Sequence, residues 1–338
     1  MSESGGGESN DNRTRNGLSR RTLVGGLAAA AAASLPLAAQ AQPRMERPPQ
    51  LPAGMNPQPP RTMQGGTGKT KVLFISKYHA FDRENLFAAF DTFEDITWTH
   101  VEHPAAANFY DPALAAPHDV LLFYDAFAGR EFQRESDGVI ANREMPPTAK
   151  MKRDFAQLLR NGDKGFVFFH HAVASWAHTW PEYGEVIGAV ADWGKPLKNI
   201  RGRDYAASGA LAGTKQHITV VDKTHPITAG VEDFDIVDEA YLCPVFDDSV
   251  HPLLRTDFKP VDTAFPLRPL TKGHPPGSNL TGWYKTAERS PVAYIQHGHD
   301  NIAWANPSWR KLMTNAIKWA ASPESKTWAR ANEKRIFK

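Results

Sequence analysis

The chain has 338 residues, a formal net charge of +2, 41% hydrophobic residues and one cysteine. So even a charge balance, with no cluster of basic residues, excludes the electrostatic footprint of a nucleic-acid-binding protein. A single cysteine excludes an internal disulfide, and Cys243 in EAYLCPVF reads as a small packed hydrophobe rather than a nucleophile.

Residues 1–41 have the form of an export leader. A polar, Gly/Ser/Asn-rich start precedes Arg20-Arg21, a weakly hydrophobic stretch from Leu23 to Ala39, and the small-x-small pattern Ala39-Gln40-Ala41. Paired arginines before an Ala/Gly-rich segment fit a twin-arginine signal, which places the mature protein in the periplasm or outside the cell. A bilayer span needs about 20 strongly apolar residues. No segment after the leader reaches that length, so no membrane association is expected after cleavage. Residues 42–68 are Pro/Gly-rich and read as a tether. One domain is expected over 69–322, followed by a charged C-terminal tail at 323–338.

Within the domain, KVLFIS (71–76) is an apolar, β-branched run and DRENLFAAFDTF a helical segment. ITWTHVEH, from Ile96, alternates as a half-buried strand should, and DVLLFYD (119–125) is again continuously apolar. TAKMKRDFAQLLRNG has helical spacing at Met151, Phe155, Leu158 and Leu159 and ends on Gly162. GFVFF (165–169) follows as another buried strand. Continuous apolar strands separated by helices predict a parallel sheet covered on both faces, so the fold class is α/β, doubly wound and mainly parallel. HITVV, FDIVDEAY and HPLLRT read as shorter, antiparallel edge strands. Residues 257–282 show no clear element, and a loop of that length in a compact domain is usually functional. PVAYIQHG is the last buried strand, and NPSWRKLMTNAIKWAAS closes the domain as a helix capped by Asn306 with Pro307 in its first turn.

In such folds sites gather at the carboxyl ends of the strands. The first strand delivers Tyr78, His79 and Asp82, the third Tyr124 and Asp125, the fourth His170 and His171, and the last His297, His299 and Asp300. Asp238 and Glu239 stand nearby in DFDIVDEAY and suit a general base or a holder of an imidazole tautomer. Histidine suits proton transfer because its free pKa lies near neutrality. Adjacent histidines on a continuing strand point to opposite faces. With a sharp turn after the strand, His171 is the better catalytic candidate and His170 the orienting or packing one. The catalytic set is thus His170, His171, Glu239 and His299. The ligand-binding set is Tyr78, His79, Asp125, Trp176, Tyr183, Asp238 and Asp300. Trp176, Trp180, Tyr183 and Trp193 suit the apolar faces of a sugar, with plain helix packing as the alternative.

The same histidines also allow a metal reading. His297-x-His299 places both rings on one face of a strand, as in some zinc sites. There is no His-Glu-x-x-His and no cysteine pair, so no cofactor is assigned and a divalent metal stays the alternative. GGTGKT (65–70) precedes the first strand and cannot serve as a phosphate loop.

GFVFFHHAVASWAHTWPEYGEVIGA, HPITAGVEDFDIVDEAY and VAYIQHGHD, in that order between Lys71 and Ala321, resemble the ThuA-like (trehalose utilisation) family. SKYHAFDRE resembles that family's first strand and the histidine after it. The resemblance implies a class I glutamine amidotransferase-like fold with a flavodoxin-like sheet. It also implies sugar catabolism, including disaccharides and their oxidised forms. True amidotransferases carry a nucleophilic cysteine in a Gly-x-Cys-x-Gly elbow. Here the strand runs into Phe169-His170-His171-Ala172, so no glutaminase activity is expected. The expected ligand is therefore a small carbohydrate-type molecule, processed by His/carboxylate acid–base chemistry. The alternatives are a sugar-binding module without turnover and a metal-dependent hydrolase or lyase.

Overall fold

A computed structural model describes residues 64–77, 81–134, 140–265 and 277–338, so the expected leader, most of the tether, and Tyr78 and His79 lie outside the described residues. In chain order the first strands are β1 (Gln64–Gly66), β2 (Thr70–Lys77), β3 (Ile96–Glu102), β4 (Val120–Asp125), β5 (Arg130–Arg134), β6 (Ile140–Glu144) and β7 (Gly165–Phe169). There follow β8 (Leu197–Ile200), β9 (Arg203–Tyr205), β10 (Gly209–Val220), β11 (Phe234–Leu242), β12 (His251–Thr256), β13 (Leu280–Ala287) and β14 (Ser290–Ile295).

One ten-stranded sheet runs β1-β3-β2-β4-β7-β14-β13-β12-β10-β11, and β5-β6 and β8-β9 form separate pairs. β3, β2, β4, β7 and β14 are mutually parallel, which is the flavodoxin-like strand order. β13, β12, β10 and β11 extend it as antiparallel strands. Burial follows position. β4 and β7 are buried along their whole length, whereas β3, nearer the edge, alternates buried and half-buried residues. Gln64–Gly66, expected in the tether, instead pair with β3. Gly66 has φ +73°, and an added Cβ there would lie 2.1 Å from the Ile96 carbonyl oxygen, so only glycine lets the backbone approach so closely.

Helices cover both faces, and three of the four named below start on a side chain that accepts a free N–H of the first turn, while Pro181–Ile187 starts on its proline. On one face, Arg83–Asp91 (capped by Asp82) and Pro307–Ala321 (capped by Asn306) bury Leu86, Phe90, Leu312 and Ile317 against Phe74 and Phe169. On the other, Ala149–Asn161 and Pro181–Ile187 pack Phe155 and Tyr183 against Phe123 and Phe168. Each such large side chain contributes about 1.5–3 kcal/mol by leaving water. The C-terminal residues dock as well. Pro323–Ala331 is a helix, Ile336 and Phe337 pack on the second core, and their N–H groups donate to Glu288 at 2.8 and 2.7 Å. Among the described residues, no helix is long and apolar enough to cross a membrane.

One feature of the topology positions the site. β11 ends the sheet, four strands beyond β14, yet Tyr241 on it reaches His170 at the end of β7. The antiparallel half therefore curls back across the carboxyl ends of the parallel strands.

Candidate functional site

β7 stops at Phe169, and His170 takes φ +51°, a left-handed conformation costing an L residue on the order of 1–2 kcal/mol. That reversal starts the short 3-10 turn His170–Ala174 and brings the fully buried His170 ring over the strand end. Its Nδ1 lies 3.0 Å from the Gln296 carbonyl oxygen, which can only accept. Nδ1 therefore carries the hydrogen, and Nε2 presents a lone pair. The Tyr294 hydroxyl donates to the His170 carbonyl at 2.8 Å, and the Tyr241 ring stacks on the imidazole at 5.2 Å.

Two further donor atoms meet that lone pair. His299 Nδ1 is 3.0 Å from His170 Nε2, Glu239 Oε2 is 3.4 Å from it, and the latter two are 3.3 Å apart. Burial pushes the Glu239 carboxyl up, but the facing imidazoles of His170 and His299 reverse that and hold it well below the usual carboxylate range. Burial likewise pulls His299 down, and the hydrogen bond and charge of Glu239 outweigh it, so the imidazole sits above its ordinary value. The two form a hydrogen-bonded imidazole–carboxylate pair in which each favours the other's charged form. Their side chains keep 22% and 17% exposure, so solvent and small solutes reach them.

Asp238 builds the support beneath. Its carboxylate accepts the N–H groups of Gly298 at 2.7 Å and His299 at 3.1 Å. Burial acts to raise it, and His297, His170 and the Gly298 N–H together bring it below its ordinary value. Tyr124 and Trp304 donate to the Gly298 carbonyl, and Trp309 donates to that of His297. The segment that carries His299 is thus held on several sides.

The predicted residues divide accordingly. His170, Glu239 and His299 come together, with Asp238 behind them. His171 is buried against the Tyr124 ring at 4.2 Å, so of the two histidines it is His170 that meets Glu239 and His299. The expectation that Trp176, Trp180 and Tyr183 form an exposed aromatic wall is corrected. All three are buried and pack on one another at 5.4–5.8 Å, because the turn after β7 leads directly into the second core. Asp300 caps the helix Asn301–Ala305 by accepting from Ile302 and Ala303. The paired placement expected of His297 and His299 also fails: β14 ends at Ile295, so the two-residue period no longer applies. His297 faces Asp238 at 3.4 Å instead. Asp125 is buried, 3.4 Å from the Tyr183 hydroxyl and 3.9 Å from His103 Nε2. Burial pushes its carboxyl up to about 7 and pulls His103 down to about 3. Burial also pushes the Cys243 thiol up to about 12.

Sequence reasoning missed Tyr241, whose hydroxyl lies 3.0 Å from His170 Nε2, and the Gln296 carbonyl. For Tyr241 a signal existed, since residues two apart on a strand share a face and Glu239 is the other contact to His170. Trp193, 5.1 Å from Tyr241, is the aromatic of the expected set that does lie beside the site. A cleft of about 480 Å³ opens elsewhere, lined by His225, Tyr284, Trp319 and Trp328, and none of the three clustered side chains lines it.

Residues 71–320 match the family described as ThuA, trehalose utilisation. Among solved structures, a ThuA-like protein from Parabacteroides merdae ATCC 43184 superposes with a TM-score of 0.54 at 15% identity, covering 75% of this chain and 90% of that one. A glutamine amidotransferase from Thermotoga maritima gives a TM-score of 0.39 at 8% identity, over 75% of this chain and 98% of that one. A cytoplasmic protein from Salmonella typhimurium LT2 gives 0.43 at 11%, over 78% and 100%. Identities this low speak to the fold alone. Among curated proteins none matches the chain.

Proposed function

The chain belongs to the ThuA, trehalose-utilisation family, and from that premise we propose that it acts on a carbohydrate-derived small molecule by proton transfer at Glu239, His299 and His170. The observation that carries this reading is the partly open imidazole–carboxylate pair of His299 and Glu239, 3.3 Å apart at the strand ends. Such a pair holds an acid and a base within reach of one sugar hydroxyl or carbonyl group. His170, with its hydrogen committed to Gln296, offers a third acceptor. Tyr241 and Trp193 supply ring faces beside it for the apolar side of a sugar.

Glutamine hydrolysis has no place in this reading. The turn after β7 carries histidine where amidotransferases carry a thiol, and burial keeps Cys243 in its unreactive, protonated form. The Arg20-Arg21 leader supports export of the folded protein to the periplasm or beyond.

The test is incubation of the purified protein with trehalose, other disaccharides and their oxidised forms, with products followed by mass spectrometry. At least one substrate is expected to turn over, and Glu239→Gln should slow it by about 10²–10⁴-fold. Calorimetric binding of a sugar without product would replace the enzyme with a binding module. No binding and no product would overturn the reading.

A further inference from the structure

The three clustered atoms differ from an ordinary hydrogen-bonded network in how few protons they can share. His170 Nε2 is a lone pair as long as Nδ1 donates to Gln296, and Glu239 Oε2 is a carboxylate acceptor. Both face His299 Nδ1, and they also face each other at 3.4 Å with no hydrogen between them in that tautomer. Two electron pairs thus meet at His299 Nδ1, and release of the Nδ1 hydrogen makes three that converge on one point from three separate segments of chain. Among the described residues, this is the group of His, Cys, Asp or Glu whose donor atoms all fall within 4.8 Å of one another.

We infer that His170 Nε2, Glu239 Oε2 and His299 Nδ1 form the binding site of one first-row divalent transition-metal ion. The inference deepens the proposed function and rests on its reading of this cluster as the reactive centre. Spacing is the first argument. Donor atoms about 2.1 Å from a common ion are separated by ~3.0 Å when they subtend 90° and ~3.4 Å at the tetrahedral angle. The observed separations of 3.0, 3.3 and 3.4 Å span that interval. Donor chemistry is the second. Two imidazoles and one carboxylate on a single face, with the remaining positions open, suit iron, manganese, cobalt or zinc rather than magnesium or calcium, which take oxygen donors.

The surroundings are built as a metal site requires. A ligating histidine usually donates its other N–H to a backbone carbonyl, as His170 does to Gln296, which fixes tautomer and ring orientation. Asp238 fixes the backbone that carries His299. The left-handed φ of His170 is a local strain that persists where the surrounding structure over-determines it, and here it aims Nε2 at the other two donors. The open positions face the side where His299 and Glu239 are partly exposed, so a substrate hydroxyl or water can complete the coordination. The ion would polarise a bound sugar oxygen and lower the pKa of a bound water.

The experiment titrates Zn²⁺, Mn²⁺ and Co²⁺ into chelator-stripped full-length protein by calorimetry, with visible absorption recorded for Co²⁺. One equivalent should bind, and Co²⁺ should give the absorption of a nitrogen/oxygen-ligated ion. Glu239→Gln and His299→Ala should each weaken binding by more than about 100-fold, beyond the 10–100-fold typical of an outer partner. His217→Gln, at the exposed His217–Asp235 pair, should leave binding unchanged. Circular dichroism of the metal-free variants separates lost ligation from lost fold. Less than one equivalent bound by the wild type would overturn the inference, as would triad variants that bind as the wild type does. The proposed function fails separately: metal binding without sugar turnover sinks that reading and keeps the ion, while turnover that survives chelation does the reverse.

Discussion

Glu239 and His299 lie 3.3 Å apart at the ends of the parallel strands, and Asp125 and His103 lie 3.9 Å apart inside the second core. The groups are the same and the outcomes opposite. Glu239 is shifted toward its ionised form and His299 toward its protonated form. At Asp125 burial raises the carboxyl to about 7, at His103 it depresses the imidazole to about 3, and the nearby Lys77 opposes a second positive charge. The first pair keeps partial access to water and has a second histidine to hold the carboxylate; the second is 2% and 0% exposed. Taking both charges out of water costs several kcal/mol per ion, which a contact of 3.9 Å does not recover. A histidine beside a carboxylate is thus no sign of reactivity by itself. The count of donors and the access of water decide whether the pair is charged.

The largest effect that sharpens this contrast lies beneath the charged pair. Asp238→Asn leaves a side chain of the same shape but only one acceptor for the N–H groups of Gly298 and His299. Metal affinity and turnover should each fall about 10–100-fold, the range for a partner that orients a ligand. Calorimetry and steady-state rates on the folded variant measure this; unchanged values would mean that His299 is placed by other contacts.

The neutral pair offers an effect on stability alone, with a definite sign. The folded-state value of Asp125 is raised above the ordinary carboxylate value, so its contribution is fully present below about pH 4 and is lost as pH rises through about 7. Asparagine mimics the neutral carboxyl and does not titrate. Relative to wild type, Asp125→Asn should therefore gain stability between pH 5 and pH 8, by on the order of 1–4 kcal/mol. Urea unfolding at both pH values reads the difference. A gap that does not widen with pH would show that Asp125 is ionised in the fold, and the contrast between the pairs would collapse.

What the sequence made legible follows from how local each signal is. The runs KVLFIS, DVLLFYD, GFVFF and PVAYIQHG appear as β2, β4, β7 and β14 because a strand buried on both faces must be continuously apolar. Convergence of His170 with His299 was readable in outline, since β7 and β14 are parallel neighbours. The choice of His170 over His171 was not, because it turns on a left-handed φ that no residue type at that position announces. Glu239 reaches the cluster only because the antiparallel half curls back, helped by the irregularity in β10 between Leu211 and Thr214, and that depends on long-range twist. The aromatics failed for another reason. A Trp/Tyr-rich stretch after a turn looks the same whether it faces ligand or core, and only packing against Phe155 and Phe168 distinguishes the two.

That last distinction has its own test, with the smallest expected effect. The Tyr183 hydroxyl donates to Asp125 across 3.4 Å, a long contact, while its ring is fully buried against Phe155 and Phe168. Tyr183→Phe keeps the ring and removes the hydroxyl, so stability should fall by no more than about 0.5–1.5 kcal/mol. Turnover and metal affinity should not move, because nothing of Tyr183 reaches His170, Glu239 or His299. A change in substrate KM at unchanged stability would return Tyr183 to the ligand-binding set. It would also mean that the interior pair of Asp125 and His103 lies closer to the substrate than its burial implies.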